Sequence, residues 1–290
     1  MKMDTYEESY KESKHFSFGK NWKNFIKSLN AEKIKEAEKS ILEFLGGEGN
    51  ESICGKTFVD IGCGSGLFSL AAYRLGAKSV VSVDIDESSL FCVKHLKEKA
   101  GNPPNWNIQS GSVLDGRFIK ALGQFDIVYS WGVLHHTGNM YKALEHVQHL
   151  VNNGGLLYLA LYNRHMIRFR GGTSKFWSKI KETYNHSGAM MKQLFNVSFM
   201  AYGILGMIIR GRNPYKAIRE YRSNRGMTWY NDRIDWLGGY PYEYASVEEI
   251  VSYYGARGFL CKNIKARDGI GCNEFLFVNS KECVYDVKSE

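Results

Sequence analysis

Two hydrophobic periods alternate along this chain. Short apolar or β-branched runs recur at 57–61, 79–84, 106–110, 125–130 and 156–161, and they read as buried strands. Between them, 67–75, 87–99, 115–122 and 140–151 place apolar residues at helical spacing. An earlier helix is predicted from Ala31 to about Leu45. Asn30 caps it, Ile34, Ala37, Ile41 and Leu42 form one face, and Gly46-Gly47 ends it. Strands alternating with helices imply an α/β fold around a parallel sheet with right-handed crossovers. Ligands then bind at the carboxyl ends of the strands.

The alternation breaks after the fifth strand. It resumes at 246–254, a helix with Glu248 and Glu249 in its first turn. Two strands follow, Leu260–Ala266 and Asn273–Asn279. About eighty residues, 163–245, intervene, and a loop of that length should be structured. Four regions result: 1–50, an N-terminal helical cap; 51–162, a nucleotide-binding core; 163–245, an insertion; and 246–290, a helix and strand pair completing the core.

The densest chemistry lies at Thr57–Gly66, Thr-Phe-Val-Asp-Ile-Gly-Cys-Gly-Ser-Gly. Gly62, Gly64 and Gly66 let the backbone turn tightly and approach a ligand that a Cβ would block. The helix predicted at 67–75 points its free N–H groups back at this turn. The second strand ends in Asp84, eighteen residues after Gly66, where doubly wound folds grip a ribose. The glycine spacing is neither the dinucleotide fingerprint nor a phosphate loop. Asp60 within the turn would repel a pyrophosphate and welcome a cation. A ribose-bearing cationic cofactor such as S-adenosylmethionine fits both acids.

Val59–Gly66, Val83-Asp-Ile85, Phe125–Val128 and Val133-Leu-His-His136 together resemble the class I S-adenosylmethionine-dependent methyltransferases, and most closely the ubiquinone-biosynthesis-type branch that acts on small molecules. The resemblance covers roughly 55–162 and the terminal strands. It implies a Rossmann-like seven-stranded sheet, mostly parallel with an antiparallel last strand, and S-adenosylmethionine as cofactor. By the same resemblance, Asp60, Gly62, Cys63, Gly64 and Gly66 hold the methionine moiety, Asp84 and Ile85 the ribose, and Ser112 and Val113 the adenine. Ser112 stands where the family often has an acid, with Asp115 three residues on. Ser130 and Trp131 face the methionine end, where an indole favours a cation. The insertion is expected to form a lid over the acceptor. The N-terminal helices either cover the cofactor or pack on the sheet's outer face through Trp22 and Phe25.

An acceptor hydroxyl needs a base to take its proton. His135, His136, His165, Asp232 and Asp235 are the candidates. His135 and His136 are adjacent and cannot both face one way, so at most one is a base, and a histidine at a strand tip is often structural. Tyr162, Asn163, Arg164 and His165 crown the fifth strand as groups to position substrate. The stretch 225–244 is rich in Trp, Tyr, Asp and Gly. It reads either as a recognition loop for a sugar or phenol or as a structured return from lid to core. His146 and His149 lack convergent partners, Asp126 sits at the wrong end of its strand, and no metal site is expected.

Charge adds one clue. The chain carries +8, yet 164–225 alone holds thirteen Lys and Arg against Glu182 and Glu220. Such a segment suits an anionic small molecule, a membrane surface or nucleic acid, or is simply a solvated face. Within it, Leu194–Ile209 is strongly apolar, and at sixteen residues it falls short of a membrane span. A lid helix on the core, a channel for a lipid-like acceptor and a surface membrane anchor all remain open. The polar start, Met1-Lys-Met-Asp-Thr-Tyr, and six cysteines without Cys-x-x-Cys spacing favour a cytoplasmic protein with reduced thiols, with membrane-peripheral contact as a variant. The leading expectation is an O-methyltransferase for a small-molecule or lipid-linked acceptor. The rivals are an RNA methyltransferase, which the absence of an Asn/Asp-Pro-Pro-Tyr motif after the fourth strand disfavours, and a non-catalytic cofactor-binding protein. Oligomeric state is not encoded in any of these signals.

Overall fold

The computed structural model describes residues 29–46, 51–164, 166–167, 171–221, 229–267 and 271–280. The predicted aromatic turn at 16–28 lies outside them, as does His165. Helix α1 (Ala31–Leu45) begins on Asn30, whose side chain accepts the Lys33 N–H, and ends at left-handed Gly46. The core then runs β1 (Thr57–Ile61), α2 (Leu67–Arg74), β2 (Ser79–Asp84), α3 (Glu87–Lys99), β3 (Trp106–Ser110), α4 (Gly116–Leu122), β4 (Phe125–Trp131), α5 (Met140–Gln148) and β5 (Val151–Tyr162).

The insertion contributes a two-residue pair, β6 (Met166–Ile167) with β7 (Gly171–Gly172). Four helices follow: α6 (Ser174–His186), α7 (Ala189–Ile209), α8 (Pro214–Glu220) and α9 (Trp229–Gly238). Helix α10 (Val247–Gly255), β8 (Phe259–Lys265) and β9 (Cys272–Asn279) complete the described elements. Ser246 and Glu249 form a reciprocal capping box at the start of α10.

Seven strands join in the order β3-β2-β1-β4-β5-β9-β8. The first five run parallel, and β9 is antiparallel to both neighbours. The chain leaves β1 toward β2 on one side and returns to β4 on the other. In sheets of this order the ligand crevice lies at the reversal, beyond the carboxyl ends of β1 and β4. One sheet face packs on α1, α2 and α3 through Ile41, Leu70, Val93 and Phe58. The other packs on α4, α5 and α10 through Ile119, Val147 and Tyr254. Burial on both faces accounts for the continuous apolar runs of β1 and β2.

Three boundaries differ from the sequence reading. β5 starts at Val151 rather than 156, because Asn152–Gly155 form an irregularity that shifts pairing between Phe125↔Val151 and Ile127↔Leu156. The Asn-Asn-Gly-Gly composition resembles a turn, and that composition concealed the strand. The preceding helix therefore stops at Gln148. The apolar helix of the insertion extends N-terminally to Ala189 and is 21 residues long, so the sixteen-residue estimate was too short. Helix α1, for its part, packs on the sheet face: Phe44 stacks on Tyr158 at 4.4 Å, and Glu38 pairs with Arg74 of α2 at 2.5 Å.

Candidate active site

The glycine turn is built by its backbone angles. Gly62, Gly64 and Gly66 all have positive φ, at 73°, 52° and 78°. A Cβ on Gly62 would sit 2.4 Å from the Val133 methyls, so the turn after β4 presses directly on the loop after β1. The Gly62 and Cys63 N–H groups both donate to the Val83 carbonyl, at 2.8 and 2.9 Å. Gly64 N–H donates to Asp84 Oδ2 at 2.9 Å, while Asp84 Oδ1 accepts the Asp86 N–H. The loop is thereby tied to the tip of β2.

Asp60 faces downward from this turn. Its carboxylate is buried and accepts a 2.6 Å hydrogen bond from Ser69 Oγ of α2. Ser69 Oγ in turn accepts from Ser82 Oγ at 2.7 Å, and Ser82 Oγ accepts from Trp106 Nε1 at 2.9 Å. A buried chain of donors from β3 through β2 and α2 thus ends on the acid of β1. Burial raises the Asp60 carboxyl to about 7, against the Ser69 bond, and the Asp84 charge adds to the rise. Burial also raises Asp84 to about 6, while the Asp86 and Gly64 N–H groups pull it back. The Cys63 thiol is pushed up by burial and by both acids. Among the described residues no Lys or Arg forms an ion pair with Asp60 or Asp84. Two clustered acids without a cation, beside a glycine cradle, suit a cationic ligand bearing a ribose.

The remaining cofactor candidates lie at or just beyond the carboxyl ends of β2, β3 and β4. Ser130 is buried and donates to the Ile61 carbonyl at 3.0 Å, which locks the end of β4 to β1. Trp131 and Ile85 are half-buried at the tips of β4 and β2. Ser112 Oγ accepts the Leu114 N–H at 3.2 Å, and the Val113 carbonyl is held by His146 Nδ1 at 2.7 Å. His146 is thus a brace for the corner after β3. Asp115 caps α4 by accepting the Arg117 and Phe118 N–H groups.

The two adjacent histidines divide sharply. His135 is fully buried, and its Nδ1 accepts the Tyr162 N–H at 3.3 Å. This leaves the proton on Nε2, which has no hydrogen-bond partner among the described residues. Burial, and then the His136 and Lys181 charges, hold its pKa well below the usual range. His135 is therefore a neutral packing residue. The half-buried His136 directs Nδ1 at the Pro241 carbonyl, 2.6 Å away. That bond takes the Nδ1 proton and leaves the basic lone pair on Nε2.

The other catalytic candidates fall elsewhere. Asp232 accepts the Tyr221 hydroxyl within the insertion. Asp235 lies on α9, and its side chain is outside the described set. Asn163 and Arg164, expected to position substrate, are structural ties instead. Asn163 bonds the Gly271 and Arg267 carbonyls and Asn273. Arg164 grips both oxygens of Glu249 at 2.7 and 2.9 Å. Glu243 caps α5 through the Met140 N–H, and its own N–H holds the His135 carbonyl. Trp236 and Tyr242 pack with Trp177 and Tyr162 rather than presenting open faces.

Sequence reading missed two groups. One is the Ser69–Ser82–Trp106 chain, whose only signal was serine at otherwise apolar positions. The other is Lys181, counted only as one charge among thirteen. It is fully buried, donates to the Trp236 carbonyl, and lies over the Trp236, Tyr242 and Tyr162 rings at 4.0, 4.8 and 5.3 Å. Burial drives its pKa well below the usual lysine range. Among the described residues no group of three His, Cys, Asp or Glu is arranged to hold a metal.

A doubly wound sheet with an acid-flanked glycine cradle at its reversal point defines a nucleotide-cofactor domain of methyltransferase type. Residues 59–159 match a family model described as a methyltransferase domain. Over 121 residues, 42% of this chain and 47% of the relative, the chain is 33% identical to a ubiquinone biosynthesis O-methyltransferase from Methylobacterium sp. (strain 4-46). It is also 45% identical over 49 residues, 17% of each chain, to a ribosomal protein L11 methyltransferase from Vibrio parahaemolyticus. The fold resembles magnesium protoporphyrin IX methyltransferase from Synechocystis PCC 6803, solved with bound SAH. The TM-score is 0.50 at 15% identity, covering 88% of this chain and 86% of that one. Residues 59–159 thus form a methyltransferase domain. It spans about half the length of the curated relatives it matches.

Proposed function

We propose that this chain transfers a methyl group from S-adenosylmethionine to an oxygen of a small-molecule acceptor, with His136 as the base. The observation that supports the reading is the His136 Nδ1···Pro241 carbonyl bond, in which Nδ1 donates and Nε2 is the ring's acceptor nitrogen. S-adenosylmethionine supplies an electrophilic methyl on a good leaving group, so alignment contributes most of the rate. Asp60 and the three glycines hold the methionine end, and Asp84 accepts from the ribose. His136 Nε2 takes the acceptor proton as the oxygen attacks. His135 fixes this geometry through its contact with Tyr162. The name of the 33%-identical relative, a ubiquinone biosynthesis O-methyltransferase, supports oxygen as the atom methylated.

The test is transfer of a labelled methyl group to a panel of phenols, catechols and lipid-linked hydroxyl compounds. His136→Gln is expected to lower the rate roughly 10²- to 10⁴-fold, with cofactor affinity unchanged. Wild-type rates in that variant, or label recovered only on nitrogen or carbon, would sink the assignment.

A further inference from the structure

The insertion presents an apolar surface with no counterpart in the core. Helix α7 is long and apolar enough to cross a membrane, with a mean hydropathy of 1.3 over eighteen residues, none of them buried. One side of it packs inward. Phe195 meets Tyr184, Phe199 meets Trp177 and Trp236, and Gly203 lies under the Arg233 guanidinium. The opposite side carries Met190, Leu194, Val197, Ala201, Leu205 and Ile208, steps of three and four residues that align on one helical stripe. All six are exposed, Met190 at 88% and Leu194 at 59%. At 1.5 Å per residue the helix is roughly 30 Å long. An unbroken apolar stripe of that length on a soluble surface marks an interaction site.

The charges around the stripe select the partner. Helix α7 contains no acid, and its one charge is Lys192. Arg210 and Arg212 follow its last turn, and on α6 the exposed Lys175 and Lys179 outnumber the exposed Glu182. Lys216 is offset by Glu220, at 3.9 Å. A second copy docked on this face would meet cations with cations. An anionic lipid surface meets the apolar stripe with acyl chains and the cations with headgroups. The middle of the helix also settles its orientation. Arg233 Nη2 reaches the Phe199 carbonyl at 3.4 Å, with its guanidinium 4.3 Å from the Phe199 ring. Crossing the bilayer would carry that guanidinium toward the hydrocarbon centre.

We infer that α7 lies in the plane of an anionic lipid bilayer, stripe inward, and docks the insertion on the membrane surface. Docking itself is independent of the cofactor chemistry. That the bilayer also supplies an amphiphilic acceptor rests on the methyl-transfer reading above.

The test is co-sedimentation of the full chain with phosphatidylcholine vesicles, with and without phosphatidylglycerol, at low and physiological salt. Strong binding to the anionic vesicles is expected, weakened by salt. Leu194→Glu with Leu205→Glu should abolish it. Arg210→Gln with Arg212→Gln should weaken it roughly tenfold. S-adenosylmethionine titration of each variant separates the two readings: retained cofactor binding shows an intact core whatever the vesicles report. Three results would overturn the inference. They are no vesicle binding by a chain that binds cofactor, binding indifferent to lipid charge, and a stable dimer in solution that the Leu194→Glu, Leu205→Glu variant converts to monomer.

Discussion

Asp60 shows how one residue sets both the stability and the ligand preference of the site. Its carboxyl has a raised pKa of about 7 in the folded chain, against an ordinary value of 3.8. The folded state therefore holds a proton that the unfolded state has released between these values. The stability this proton provides is complete below pH 4 and is lost as pH rises through 7, a change of up to roughly 4 kcal/mol. The cofactor acts in the opposite sense, because a cation prefers the ionised acid. Without ligand, the melting temperature should fall between pH 5 and 7.5, while affinity for S-adenosylmethionine should rise. In Asp60→Asn, thermal scans and titrations should lose the part of both slopes above pH 6, while Asp84, raised to about 6, retains a part below it. A slope unchanged by the substitution would assign it to another group. The sequence placed Asp60 correctly at the turn. It did not reveal that the carboxylate points at Ser69, because the Ser69–Ser82–Trp106 chain assembles only when three elements pack.

At the scale of elements, the strands and helices of the core were legible because each repeats its own period over a whole element. The insertion was less so. Its polar, aromatic stretch at 225–244 read either as a recognition loop or as a structured return from lid to core. At its end, Pro241, Tyr242 and Glu243 brace the turn after β4, through the Pro241 carbonyl on His136, the Tyr242 ring on Tyr162 and the Glu243 N–H on His135. Such contacts span from 80 to 108 residues of sequence and leave no local pattern. Lys181 joins α6 to this segment from a fully buried position. Its depressed pKa means that the unfolded chain binds the proton more tightly. Its effect on stability is therefore most adverse at low pH and disappears near its ordinary value of 10.5. Lys181→Met keeps the length and removes the amine. Denaturant midpoints of the wild type should climb from pH 7 toward pH 10, and the variant should lack that climb. A variant that retained the climb would show that the amine is not its source.

For the whole molecule, the sheet order places the Gly62–Gly66 loop, Asp84, Trp131 and His136 around one crevice, although they are spread over seventy-five residues of sequence. The insertion closes over the β4 and β5 ends on one side and exposes α7 on the other. The central claim is that this crevice binds S-adenosylmethionine through Asp84. Calorimetric titration of the intact chain tests it most directly, with Asp84→Ala alongside and thermal melting to confirm that the variant is folded. Saturable micromolar binding, weakened roughly ten- to a hundredfold in the folded variant, is the predicted result. No binding by the intact chain, or equal binding by both proteins, would contradict it.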